Sequence, residues 1–217
     1  MSGVVSGASH AVRRARATHD CSRTMMIVGR LQRLSPNTLA IWIVVATGIV
    51  LLAMGRVPIC TCGSIKLWHG DVNSSENSQH ITDWYTYSHI LHGFLFYAFF
   101  WWLTPRWSMA QRFAAAIAVE AGWEIVENSP FIIDRYRAAT ISLNYYGDSV
   151  LNSMSDIGAL ALGFGLAGML PVAATVALGL AFEPGTAYMI RDNLTLNVLM
   201  LVHPLDAVKA WQSSGAG

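Results

Sequence analysis

Long apolar runs separated by short polar breaks organise this chain. The first run, Thr38 to Met54, carries no charge and is bracketed by Pro36-Asn37 and Gly55-Arg56. It reaches the roughly 17–25 residues that an α-helix needs to cross a bilayer. A second run extends from about Trp84 to Leu103, where Pro105 stops it, and a third from about Met109 to Glu127, closed by Pro130. A fourth covers Ser149 to Leu170. A fifth starts at Pro171 and breaks at Glu183-Pro184-Gly185, or continues to Ile190. The last stretch, Leu194 to Val202, is too short to span easily and reads as a re-entrant or interfacial helix. The pattern predicts an all-α fold: a polytopic helical membrane protein of about five transmembrane helices, with a long external loop between helices 1 and 2.

Composition supports that class. Of 217 residues, 53% are hydrophobic and 12% charged, about half the charged share of a soluble domain. A net charge of +1 offers no basic stripe and excludes nucleic acid as a partner. Arg13, Arg14, Arg16, Arg23, Arg30 and Arg33 precede the first run. The positive-inside rule therefore puts the N-terminus in the cytoplasm. Arg106 and Arg112 then also fall inside, whereas Arg135 and Arg137 fall outside, against the rule. The chain divides into a polar, disordered cytoplasmic tail over 1–36, one membrane domain over 37–203 with residues 55–83 as its external loop, and a polar C-terminal tail over 204–217. Met25 or Met26 is an alternative start.

The charged and polar groups left inside the apolar runs change the picture most. His89 and His92 share a face of the second run. Glu120, Glu124 and Glu127 share a face of the third, and Asp148, Asn152 and Asp156 step down the start of the fourth. A charge near a bilayer centre costs roughly 2.5–3.5 kcal/mol on insertion scales, so such groups face a partner, a cavity or a site. The Arg-based orientation brings all three sets to the outer ends of their helices, at similar depth. Small residues at Ala159, Gly163 and Ala167 would let the fourth helix pack closely.

Imidazoles and carboxylates at one membrane face suit a divalent metal ion or acid/base chemistry. The candidate catalytic residues are Glu124, Asp148, His89 and Asp156. The candidate metal ligands are His89, His92, Glu124, Glu127 and Asp148. Arg135 or Arg137 would clamp an anionic headgroup, with Asn152 beside them. In the 55–83 loop, Cys60, Cys62, His69 and His80 are metal-type ligands, with a Cys60–Cys62 disulfide as the alternative to free thiols.

The strings Cys60-Thr-Cys62-Gly, Trp68-His-Gly, Ser88-His89-x-x-His92-Gly, Trp123-Glu124-x-x-Glu127-Asn-Ser and Tyr146-Gly-Asp148-Ser-x-x-Asn152-Ser-x-x-Asp156 resemble a bacterial inner-membrane family of unknown function. The resemblance covers roughly residues 38–190. It implies a multi-pass inner-membrane protein and no particular activity. A weaker resemblance is to VanZ-like membrane proteins, through His89 or His92, Glu124, Arg135 or Arg137, Asp148 and Asn152. The leading expectation is a polar site at the outer face of the bilayer acting on a lipid-linked or envelope substrate. Two alternatives stay open: an assembly protein whose polar cluster only specifies helix packing, and an ion- or proton-coupled carrier.

Overall fold

The computed structural model describes residues 34–140 and 143–214. The Arg-rich part of the tail, through Arg33, lies outside these residues. Among the described residues the chain is all-helical, with eight helices and one isolated β-bridge, Trp68 to Thr82. They are α1 (Pro36–Ala53), α2 (Thr86–Leu103), α3 (Met109–Glu127), α4 (Pro130–Ala139), α5 (Val150–Met169), α6 (Val172–Ile190), α7 (Leu194–Val202) and α8 (Asp206–Ser213).

Four of the helix starts are written in the sequence as a serine at the N-cap, followed by proline in two of them. Ser35, Ser108, Ser129 and Ser149 each accept a hydrogen bond from a first-turn backbone N–H, which satisfies one of the four donors a helix leaves free there. At α3 the side chain of Gln111 reaches back to Ser108 and completes a capping box.

Two expectations about element ends change, and one open alternative is decided. Pro130 does not simply close a helix but opens α4, because Ser129 caps it and proline suits the first helical position. Of the two readings of the fifth run the continuous one holds: α6 passes Pro184 and runs through to Ile190, and two residues on, the Thr186 hydroxyl donates to the carbonyls of Phe182 and Glu183. The segment after residue 204 is not only a polar tail, since it forms α8. Its Lys209 ammonium donates to Ala138 O, and Gln212 is buried against Asp192.

By length and composition, α1 and α5 are apolar enough to cross a membrane. Helix α2 carries two histidines, and α3 carries Arg112, Glu120 and Glu124. Only 17% of the α1 window is buried inside the protein, against 44% for α5. Its outward side chains, Ile41, Trp42, Ile49 and Leu52, are large and apolar, an arrangement that water does not favour.

The core lies where α1, α2, α3 and α5 meet, around Ala40, Phe100, Ala116, Ile117, Ile157, Leu160 and Phe164. Helices α2 and α5 form the most extensive pair, and α1 packs chiefly on α3. The α2–α5 approach is backbone to backbone: a Cβ at Gly93 would collide with Leu160 O, and one at Gly163 with Ile90 O. Small residues permit that distance, and dispersion over the closely apposed surfaces stabilises it.

Candidate functional site

The 55–83 loop is fastened to the N-terminus of α5. The backbone N–H groups of Ser149, Val150 and Leu151 donate to the carbonyls of Ser78, Val57 and Pro58, and the N–H of Asn152 donates to Ser149 Oγ. All four orphan donors of that helix start are thereby satisfied. Side chains extend the seam. Ser149 Oγ donates to Gln79 O at 3.0 Å, Asn152 Nδ2 to His80 O at 2.9 Å, and Gln79 Nε2 to Gly147 O at 2.7 Å. Gly147 has φ +97, and a Cβ there would strike the Arg56 guanidinium, which itself donates to Tyr146 O.

Below this seam lies a cavity of about 250 Å³, walled by α2, α3, α5, α7 and loop residues Asn77 and Ser78. His89, His92, Glu120, Glu127, Asp148 and Asp156 line it together with Tyr85, Tyr136 and Tyr145. Its apolar wall includes Phe96, Val119, Trp123 and Val198, of which Val119 and Val198 are exposed. Among the described residues no Lys or Arg lines it.

Glu120 is the hub of the α2–α3 contact. It is fully buried, its Oε1 lies 2.5 Å from His89 Nδ1, and its Oε2 lies 3.1 Å from His92 Nδ1. With the His89 Nδ1–H given to a carboxylate, Nε2 is the free ring nitrogen, a carboxylate–histidine arrangement that sets the tautomer of metal ligands. Asp156 Oδ2 is 3.8 Å from that Nε2, and Glu124 Oε1 is 3.8 Å from Nδ1. These separations are too long for hydrogen bonds. Both oxygens of Glu124, and Oδ1 of Asp156, are buried with no hydrogen-bond partner among the described residues.

A second half of the site lies toward the loop. Asp148 accepts from Asn128 Nδ2 at 2.8 Å and from Tyr145 OH at 3.0 Å, and its own N–H donates to Asn128 Oδ1 at 2.8 Å. Burial pushes the Asp148 carboxyl up to about 6, although the Asn128 and Tyr145 hydrogen bonds pull it down. Glu127 accepts from Tyr136 OH at 3.0 Å. Nearby Asp83 is also raised by burial, against hydrogen bonds from the backbone of Tyr85, Ser78 and Thr86.

The structure brings His89, His92, Glu124, Glu127, Asp148 and Asp156 together. Each of the triplets His89–His92–Glu120, His89–Glu124–Asp156 and Glu124–Glu127–Asp148 offers ligand atoms within 4.8 Å of one another. Asn152 is close by but spent on the loop. Arg135 and Arg137 do not join the cavity. Arg135 Nε donates to Leu201 O at 2.9 Å and Arg137 Nε to Tyr145 O at 2.5 Å. Both act as carbonyl clamps, because α4 is a helix that turns them toward neighbouring backbone. Asn128 and the three tyrosines were not singled out for a site role in the sequence. The Glu127-Asn128 string held the only hint, since an Asn ending a helix also reads as a cap.

The loop candidates also sit away from the cavity. Cys60 and Cys62 form a disulfide with Cα atoms 5.2 Å apart, which withdraws both sulfurs as thiolate ligands. Although Cys60, Cys62, Glu76 and His80 lie within 4.8 Å of one another, their polar atoms are committed. The Lys66 backbone N–H donates to His80 Nδ1 at 3.3 Å, so Nε2 bears the proton of the neutral ring and donates to Glu76 at 3.0 Å. Glu76 also pairs with Lys66, and these two bonds lower its carboxyl to about 2. His69, whose Nε2 is buried without a partner, has its ring 5.1 Å from that of His80.

The UPF0314 protein of Paracoccus denitrificans (strain Pd 1222) is 58% identical over 183 residues, covering 84% of this chain and 95% of the relative. A UPF0314 protein of Rhizobium etli (strain CIAT 652) is 56% identical over 170 residues, or 78% of this chain and 87% of the relative. That of Sphingopyxis alaskensis (strain DSM 13593 / LMG 18877 / RB2256) is 53% identical over 179 residues, or 80% and 95%. No solved structure matches the chain. Residues 51–214, which hold every residue of the cavity, match the family described as Protein of unknown function (DUF2585), and the chain belongs to that family.

Proposed function

We propose that this is a multi-pass inner-membrane protein whose site, at the outer membrane face, holds a divalent cation between His89, Glu124 and Asp156 and acts on an anionic lipid-linked or envelope substrate. The observation that carries this reading is Glu124, fully buried with neither oxygen hydrogen-bonded, beside an Asp156 oxygen in the same condition. An unpaired buried carboxylate costs several kcal/mol unless it is protonated or meets a cation. One imidazole nitrogen with carboxylate oxygens suits Zn²⁺, Mn²⁺ or Fe²⁺. Glu120 orients His89 from behind. Such an ion would supply Lewis-acid polarisation of a phosphoryl or carbonyl oxygen.

The substrate class follows from charge. Among the described residues no Lys or Arg lines the acid-rich cavity, so an anionic headgroup enters it only when cations are there first. The cation takes over the role that Arg135 or Arg137 would have in the VanZ-like pattern. Exposed Val119 and Val198 at the apolar wall suit an acyl or isoprenoid chain entering sideways from the bilayer.

The packing alternative has support of its own in the other half of the cluster. Asn128, Ser149 and Asn152 spend their hydrogen bonds on fastening helices and loop. The test is elemental analysis of detergent-purified protein, paired with melting in chelator. Wild type should carry at least one divalent ion per chain, lost in Glu124→Gln/Asp156→Asn. In chelator that double variant should melt higher than wild type, because it removes unpaired acids. Wild type that stays metal-free after loading, with a variant that melts lower, would sink the metal reading and favour packing.

A further inference from the structure

We infer a second cation position beside the first, formed by Glu124, Glu127 and Asp148, so that the Glu124 carboxylate bridges two ions. This rests on the cation reading of His89, Glu124 and Asp156. Glu124 is the one member common to that triplet and to Glu124–Glu127–Asp148. Each triplet keeps its ligand atoms within 4.8 Å of one another; His89, Asp156, Glu127 and Asp148 line one cavity, and Glu124 is fully buried beside them.

Three features point to a shared carboxylate in place of a single site with spare acids. First, both Glu124 oxygens are buried and both lack partners. One ion in monodentate contact would answer one of them and leave the other orphaned. Second, Glu127 and Asp148 are already steadied from outside the triplet, by the Tyr136 hydroxyl on Glu127 and by Asn128 and Tyr145 on Asp148. A carboxylate oxygen that accepts one hydrogen bond keeps a lone pair for an ion, and outer partners of this kind hold ligating carboxylates in place. Third, the balance of charge is poor with one ion. Among the described residues, the carboxylates of Glu120, Glu124, Glu127, Asp148 and Asp156 are grouped with two imidazoles, and no Lys or Arg lines the adjoining cavity. One divalent ion leaves that set negative even with both histidines protonated.

A pair of cations bridged by a buried carboxylate, with their other ligands lining a cavity, is an arrangement that clamps two oxygens of one phosphoryl group. The substrate class is therefore narrowed to a phosphoryl-bearing headgroup, with the apolar wall of Phe96, Val119 and Val198 left for its chain.

The test is titration of Mn²⁺ into chelator-stripped, full-length protein in detergent, read by equilibrium binding and by electron paramagnetic resonance. Wild type should bind two Mn²⁺ per chain and give the multiline signal of an exchange-coupled pair. Glu127→Gln should bind one and give an uncoupled six-line signal. Asp148→Asn should do the same, and because Asp148 also anchors Asn128, Glu127→Gln is the variant that decides. One Mn²⁺ per chain in wild type, unchanged in Glu127→Gln, would overturn the second position and leave the first standing. Two ions without exchange coupling would overturn the bridge. No binding at all would overturn both readings.

Discussion

At the scale of single residues, the acids of this chain divide by what surrounds them. Glu76 sits near the surface with Lys66 and His80 and is held low, at about 2. Asp192, buried between α6 and α7, is pushed up to about 6 by desolvation, despite hydrogen bonds from Tyr85 and Gln212. A carboxyl with a raised folded-state pKa favours the fold while protonated. Its contribution is present below pH 3.8 and is lost as pH rises from there to about 6. The shift corresponds to about 3 kcal/mol. Asp192→Asn should therefore melt above wild type at pH 8, with the difference closing below pH 4. The unpartnered Gln212 Oε1 can turn to accept from the new amide. Melting curves in detergent across that range check it, and a pH-independent difference would contradict the assignment. The convergence of His89, Glu124, Asp148 and Asp156 was legible in the sequence, because an antiparallel succession of the second, third and fourth runs brings these positions to one end. The central place of Glu120 was not, because its two histidine partners lie 28 and 31 positions away and nothing local announces them.

At the scale of elements, close approach of α2 and α5 makes the site possible, since it seats His89 against Asp156. The small residues Ala159, Gly163 and Ala167 in the fourth apolar run foretold close packing, and Gly163 is where it occurs, but nothing marked Gly93 as its counterpart on α2. Gly163 faces the Ile90 backbone, whereas a Cβ at Gly158 would meet nothing within 4 Å. Gly163→Ala should destabilise the protein by roughly 1–3 kcal/mol through overpacking. Gly158→Ala should be neutral or slightly stabilising, as alanine is the better helix former. Thermal melts of the two variants side by side read the contrast, and equal behaviour would mean the helices do not meet at Gly163. Helices α4 and α8 were the elements the apolar pattern hid. Both are short and of mixed polarity, and each is specified by a cap or by docking, with no long apolar run to mark it.

At the scale of the whole molecule, the 55–83 loop is a structural member of the site. Its length was plain in the sequence, but its attachments were not, because they join residues some 70 to 90 positions apart through backbone carbonyls, which any sequence can supply. Asn152→Ala removes the bond to His80 O and leaves that carbonyl unpaired. Limited proteolysis should then cut within 55–83 several-fold faster than in wild type, while α5 itself stays intact. An unchanged rate would show that the backbone seam alone holds the loop. The same seam orders events during synthesis. The first-turn amides of α5 find their acceptors on Val57, Pro58 and Ser78, which leave the ribosome long before α5 does. The buried acids of α3 therefore emerge before the helix and the loop seam that enclose them are in place. Until α5 arrives, Glu120 already has His89 and His92 of α2 to pair with, whereas Glu124 lacks its Asp156 neighbour, and the cavity closes only as that helix docks.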